Sequence, residues 1–168
     1  ISTNFRKEVG AHGISDRGIW RVHQFSKVEQ VILCKPEDSK KMHEEILSNA
    51  KYIFEKLEIP FRVIDICTGD IGTVAARKFD IEAWMPSTNK WKEVVSASNC
   101  ESYQSVRLNM RYRTSEGTSF PHTLNSTAVA TTRALAAILE NNQTENGSVV
   151  IPKVLRKWMG NQEIIESK

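Results

Sequence analysis

The chain has 168 residues, of which 26% are charged and 40% hydrophobic, with eight glycines and five prolines. That length suits about one domain and lets it bury about 70% of the surface an unfolded chain exposes. The composition excludes collagen-like, linker-like and strongly disordered chains. Basic residues number 23 against 20 acidic ones, too small an excess to mark a nucleic-acid binder by itself, since phosphate contacts draw on a clustered basic surface. No run of about 18 apolar residues occurs, so no membrane span is expected. The opening ISTNFRKEVG lacks the apolar stretch of a secretory signal. Cys34, Cys67 and Cys100 form no CxxC spacing and are odd in number. A disulfide framework and a zinc site are therefore not expected, and a reducing compartment is.

In chain order, Asn4 to Glu8 is a short candidate strand. Val9 to Gly18 carries Gly10, Gly13 and Gly18 and reads as a loop. Trp20 to Leu33 is rich in Val, Ile and aromatics with polar residues at alternate places, the period-2 pattern of a half-buried strand. Pro36 to Ser39 resembles a helix start, with acids near the positive end of the dipole. Met42, Ile46, Ala50, Ile53, Phe54 and Leu57 then recur at three- and four-residue steps, one apolar stripe on a helix that Ile59-Pro60 ends.

Phe61 to Cys67 reads as a strand and Thr68 to Gly72 as a turn. Phe79 to Met85 and Trp91 to Ala97 are strands joined by a turn at Pro86-Ser87-Thr88-Asn89. Glu101 to Arg111 is expected to be helical. Phe120 to Leu124 is expected to be a short strand leading into a helix over Ala128 to Leu139, favoured by Ala and Leu. Asn146-Gly147 marks a turn, and Pro152 opens a last short helix through Trp158. The expected class is α+β: a mostly antiparallel sheet flanked by helices, as a single domain over residues 1–168.

Three groups of residues invite chemistry. Strand alternation places Arg21, His23, Phe25, Lys27 and Glu29 on one face, and Arg6 and Glu8 together on the preceding strand. A solvated sheet face is the ordinary reading of such charges, while a cleft-lining face better explains an aromatic in their midst. A ring is a stacking platform for a planar base, and flanking guanidiniums are bidentate donors for phosphate. Glu93 and Ser96 form a second group, a carboxylate and a hydroxyl suited to a hard cation such as Mg²⁺, or simply a surface Glu and a loop Ser. The third is the run Asn125, Ser126 and Thr127 with Arg133. These are good N-cap types before an alanine-rich helix, with Arg133 roughly two turns into it.

Together these segments resemble one family. FRKEVGAHGISDRGIWRVHQFSKVEQ is similar to motif 2 of seryl-tRNA synthetases, and HTLNSTAVATTRALAAILENNQ to their motif 3. GDIGTVAARKFDIEAWMP and KEVVSASNCESYQSVR resemble the stretch between, so the likeness covers nearly the whole chain in order. The resemblance implies the catalytic core of a class II aminoacyl-tRNA synthetase. It implies ATP-dependent formation of seryl-adenylate and transfer of the seryl group to tRNA(Ser), with ATP as substrate and Mg²⁺ as cofactor. It further implies a homodimer for the full-length member and a cytoplasmic location.

By position, the resemblance implies that Arg6 binds the α-phosphate and the serine carboxylate region, and that Glu8 reads the adenine amino group. Arg21 falls on the distal phosphates, Phe25 under adenine, and Glu29 on the serine ammonium. Glu93 and Ser96 match the metal-linked pair, Asn125 and Thr127 the serine side-chain pocket, and Arg133 the arginine on the γ-phosphate. Lys27 lies in the same row without an assigned role. His23 is expected to order the sheet through a hydrogen bond, while His12, His43 and His122 are scattered.

Carboxylate attack on phosphorus needs two anions brought together and the added charge stabilised in place. Arginines and Mg²⁺ supply that without a protein nucleophile. The family's tRNA-binding arm and motif 1 have no counterpart before Ile1, so a catalytic-core fragment is expected. The alternative is a synthetase-like module that binds or regulates without catalysis; an unrelated RNA-binding sheet protein is a third possibility.

Overall fold

A computed structural model describes residues 1–7 and 18–167. The expected strand residue Glu8 and most of the glycine loop lie outside them. The main sheet has six strands in the order β1-β2-β8-β5-β4-β3. Its members are β1 (Ser2–Phe5), β2 (Gln24–Cys34), β3 (Phe61–Asp65), β4 (Arg77–Met85), β5 (Lys90–Asn99) and β8 (His122–Ala130). Every pairing in it is antiparallel. The helices are α1 (Ser39–Lys56), α2 (Tyr103–Arg107), α3 (Thr131–Asn142) and α4 (Lys153–Arg156). A small hairpin, β6 (Tyr112–Thr114) with β7 (Gly117–Ser119), and a two-stranded pair, β9 (Val149–Val150) with β10 (Ile164–Ile165), complete the described strands. The α+β expectation therefore holds. Among the described residues no helix is long and apolar enough to cross a membrane.

The stripe read from the sequence is the inner face of α1. Ile46, Ala50, Phe54 and Leu57 are buried, and the last three pack in one cluster with Ile81, Ala83, Met85 and Val95 from the sheet. Ala136 and Ala137 of α3 join the same cluster, their small side chains allowing a close approach. Side-chain hydrogen bonds lock α1 to the sheet: the Gln30 amide donates to the Ile46 carbonyl at 2.9 Å and accepts from the Asn49 amide at 3.0 Å, and His43 Nε2 donates to the Ala97 carbonyl at 2.9 Å.

His43 is only 2% exposed, and burial pushes its imidazole below the ordinary 6.5, with the Ala97 carbonyl pulling weakly the other way. Between that lowered value and 6.5 the folded chain binds fewer protons than the unfolded one, so stability rises with pH across the window. Acidification from about pH 7.5 to about pH 5.5 should therefore lower the melting temperature. His43→Gln, which keeps a donor for Ala97, should flatten that dependence; an unchanged slope would exclude His43 as its source.

Several boundaries differ from expectation. The strand expected from Trp20 begins at Gln24, because Gly18–Trp20 forms a 3-10 turn after Gly18 at φ +71°. Arg21 and His23 thus precede the strand instead of alternating on it. Asn125, Ser126 and Thr127 are not helix caps: they lie inside β8, paired on one side with β2 and, at Ser126 and Asn125, on the other with β5. Inter-strand hydrogen bonding overrides their capping tendency, the helix starts only at Thr131, and Arg133 sits in its first turn. The helix expected over Glu101 to Arg111 shrinks to α2, and the chain turns into the β6–β7 hairpin. The turn at Pro86 is present, closed by Asn89 at φ +52°, a left-handed position that Asn tolerates. Gly147, at φ +83°, closes the expected Asn146-Gly147 turn, its amide donating to the Thr144 carbonyl.

Candidate active site

Residues paired across an antiparallel ladder point to the same side of the sheet. On β2, Phe25, Lys27 and Glu29 share the face turned away from α1, whereas Gln30 reaches the helix. Glu29 pairs with Thr127 and Val31 with Asn125, so both β8 residues join that face. A cavity of about 280 Å³ opens there. Arg6, Arg21, Phe25 and Lys27 line it from the β1–β2 side, and Thr127, Arg133 and Glu93 from the other.

The Arg6 guanidinium lies 5.1 Å from the centre of the Phe25 ring, so cation and platform form one surface. Beyond β1, the Arg6 amide donates to the His23 carbonyl at 2.8 Å, and His23 Nδ1 lies 3.1 Å from the Arg6 carbonyl. This is the ordering contact expected of His23, and it holds Arg6 at the cavity mouth.

Arg133 Nη1 donates to the Glu93 carbonyl at 2.8 Å and lies 3.5 Å from the Glu93 carboxylate. Its guanidinium also covers the Trp20 ring at 5.4 Å, with Lys92 Nζ 5.0 Å from the same ring. Trp20 is a wall of the cavity that the sequence argument passed over. The available signal was an aromatic directly before Arg21 in a turn bounded by glycine.

Beside the cavity lies a compact polar network around Glu29. The Asn125 amide donates to Glu29 Oε1 at 3.1 Å and the Thr127 hydroxyl to Oε2 at 3.3 Å. Lys27 Nζ stands 2.8 Å from Oε2. Glu29 and Asn125 do not themselves line the cavity; Lys27 and Thr127 connect the two parts. Of the four residues expected to meet serine, Glu29, Asn125 and Thr127 are therefore in contact, while Arg6 lines the adjoining cavity.

Glu93 and Ser96 are three apart and would face opposite ways on a regular strand. A bulge prevents this: Glu82 pairs with Glu93 and Ile81 with Val95, leaving Val94 extra. Glu93 and Ser96 consequently share the face opposite α1. Ser96 is set apart from the cavity lining and pairs across the ladder with Asp80, whose carboxyl is raised above its ordinary range by burial, with the Ser96 hydroxyl pulling the other way. Among the described residues no three His, Cys, Asp or Glu side chains gather to hold a metal. A carboxylate with a hydroxyl nevertheless suits Mg²⁺, which binds oxygen and keeps several waters. Glu8 lies outside the described residues.

Comparison with known proteins follows the same lines. Residues 1–142 match the model of the tRNA synthetase class II core domain (G, H, P, S and T). The serine--tRNA ligase of Methanospirillum hungatei is 61% identical over 98% of this chain, and that of Pyrococcus abyssi 58% over 98%. The chain spans only 40% and 37% of those two relatives. Among solved structures, seryl-tRNA synthetase from Pyrococcus horikoshii complexed with ATP aligns over 99% of the chain and 38% of its own, with TM-score 0.94 and 55% identity. Cytoplasmic serine-tRNA ligase from Naegleria fowleri in complex with AMP aligns over 99% of the chain and 40% of its own, with TM-score 0.92 and 45% identity.

Proposed function

Because the chain belongs to the class II tRNA synthetase core family, we propose that it is the adenylate-forming part of a longer serine–tRNA ligase. One observation carries the proposal. A carboxylate held by an amide, a hydroxyl and an ammonium abuts a cavity walled by three arginines and a phenylalanine. An amino acid and a nucleotide need those two surfaces side by side. In this role Glu29 receives the serine ammonium, and Asn125 and Thr127 its hydroxyl. Selectivity resting on hydrogen bonds penalises an analogue lacking the hydroxyl more than an apolar pocket penalises size.

Adenine stacks on Phe25, its amino group read by Glu8. Arg6 bridges the α-phosphate and the serine carboxylate, Arg21 the distal phosphates and Arg133 the γ-phosphate. The carboxylate oxygen attacks the α-phosphorus, the bond to the β-phosphate oxygen breaks, and pyrophosphate leaves. The fixed guanidiniums offset the charge that accumulates at phosphorus. Glu93 and Ser96 are the residues that would hold Mg²⁺, which when bound supplies further positive charge to the phosphates. In the second reaction the seryl group passes to the terminal adenosine of tRNA(Ser) and AMP leaves.

The names of the relatives support serine, ATP and tRNA as partners, and the Naegleria enzyme supports a cytoplasmic setting. A homodimer of the longer protein follows from the family resemblance.

Serine-dependent exchange of labelled pyrophosphate into ATP tests the reaction. Exchange should favour serine over alanine and threonine and stop when Mg²⁺ is chelated; equal exchange with all three amino acids would overturn the assigned specificity. Calorimetric titration with a non-hydrolysable seryl-adenylate mimic tests the site directly. A folded chain that does not bind it is a non-catalytic module instead.

A further inference from the structure

Glu29 already holds an ammonium group. Lys27 Nζ stands 2.8 Å from Oε2, and the two side chains are only 25% and 24% exposed, so the pair is shielded more than a typical surface contact. With Asn125 and Thr127 also donating, the carboxylate is engaged on both oxygens before any ligand arrives. A lysine ammonium and the ammonium of an α-amino acid are the same chemical group. Two ammonium groups on one carboxylate repel each other, and Oε2 already carries two donors, so ligand binding favours a Lys27 that has moved away.

Lys27 has somewhere to go. It lies two residues before Glu29 on the same face of β2, and it lines the cavity that Arg6 and Phe25 share. Its flexible four-carbon stem carries a compact point charge, suited to exchanging one anion for another. We propose that Lys27 is the resident counter-ion of the ligand-free site. It neutralises Glu29 until an ammonium ligand displaces it, then turns into the cavity to meet that ligand's own anionic group. This rests on Glu29 being the ammonium site and adds a rule for ligand choice. A plain amine displaces Lys27 and leaves it without an anion. A ligand that carries an anion beside its ammonium restores the lost ion pair, so the site favours amino acids and their adenylates over amines.

The test compares two probes by calorimetry on this chain, serinamide, which has the ammonium and hydroxyl but no carboxylate, and the seryl-adenylate mimic, which carries a negative linkage. Lys27→Met keeps the stem but not the charge. It should bind serinamide about two- to fivefold more tightly than the unaltered chain, the range set by a partly exposed ion pair, and bind the mimic more weakly. Lys27→Arg, which keeps the charge, should bind the mimic more tightly than Lys27→Met does and serinamide more weakly. Lys27→Gln provides a second charge-free variant, with melting curves recorded for each, should Lys27→Met not fold. Equal or weaker binding of serinamide by both folded charge-free variants overturns the proposal, as does the absence of serinamide binding by any of the proteins. If the unaltered chain binds the mimic in either case, the synthetase assignment survives; if it does not, that assignment fails as well.

Discussion

Glu29→Ala is expected to abolish serine-dependent pyrophosphate exchange and to weaken the seryl-adenylate mimic by about 2–5 kcal/mol, the range for removing one partner of a desolvated, hydrogen-bonded charge pair. The size comes from what the substitution leaves behind. The Asn125 amide, the Thr127 hydroxyl and the Lys27 ammonium all converge on this carboxylate. Truncation strands the three donors while removing the countercharge for the incoming ammonium. ATP, which has no ammonium, should bind the variant nearly as well as the unaltered chain. The split between the two ligands is the decisive measurement. Equal losses for ATP and the mimic would mean that the substitution damages the whole face, and Glu29 would lose its assigned role.

Phe54→Ala is expected to have the largest effect on stability, about 3–5 kcal/mol, from lost transfer energy and the cavity left in the core. Phe54 is fully buried and meets the Phe61 ring edge-on at 6.5 Å. It belongs to the cluster that joins α1 to β4 and β5 from behind, while the candidate site occupies the opposite face of the sheet. Against a domain stability of about 5–15 kcal/mol the change takes away much of the margin. Denaturant titration should show a lower midpoint with an unchanged slope. Below its melting temperature the variant should still bind the mimic, since no cavity-lining side chain is altered. A midpoint within about 1 kcal/mol of the unaltered chain would mean that the core relaxes around the loss.

The two substitutions probe opposite faces of one sheet, and these were unequally legible. The α1 stripe could be read directly, because a helix repeats every 3.6 residues and each buried position is a near neighbour in sequence. The polar row on β2 was legible from Phe25 onward for a similar reason, with a period of two. Arg21 lines the cavity, but not by the local route expected of it. It arrives from a turn after Gly18, not from strand alternation. Asn125 and Thr127 were misplaced locally. Asn, Ser and Thr before an alanine-rich run satisfy every local requirement of a helix cap, and only pairing with β2 and β5 turns them into strand.

What the amino-acid order determined by itself was the inventory: the motif residues, their succession, the α+β class and the apolar face of the long helix. Each depends on identity or short-range period, which a linear chain carries in full. Tertiary structure decided which side chains meet. Register between distant strands sets the contact of Glu29 with Asn125 and Thr127, and the extra residue Val94 turns Glu93 and Ser96 to the same side. One inserted residue reverses every side chain beyond it, and the ladder accommodates it through partners far along the chain, so no local window contains that information.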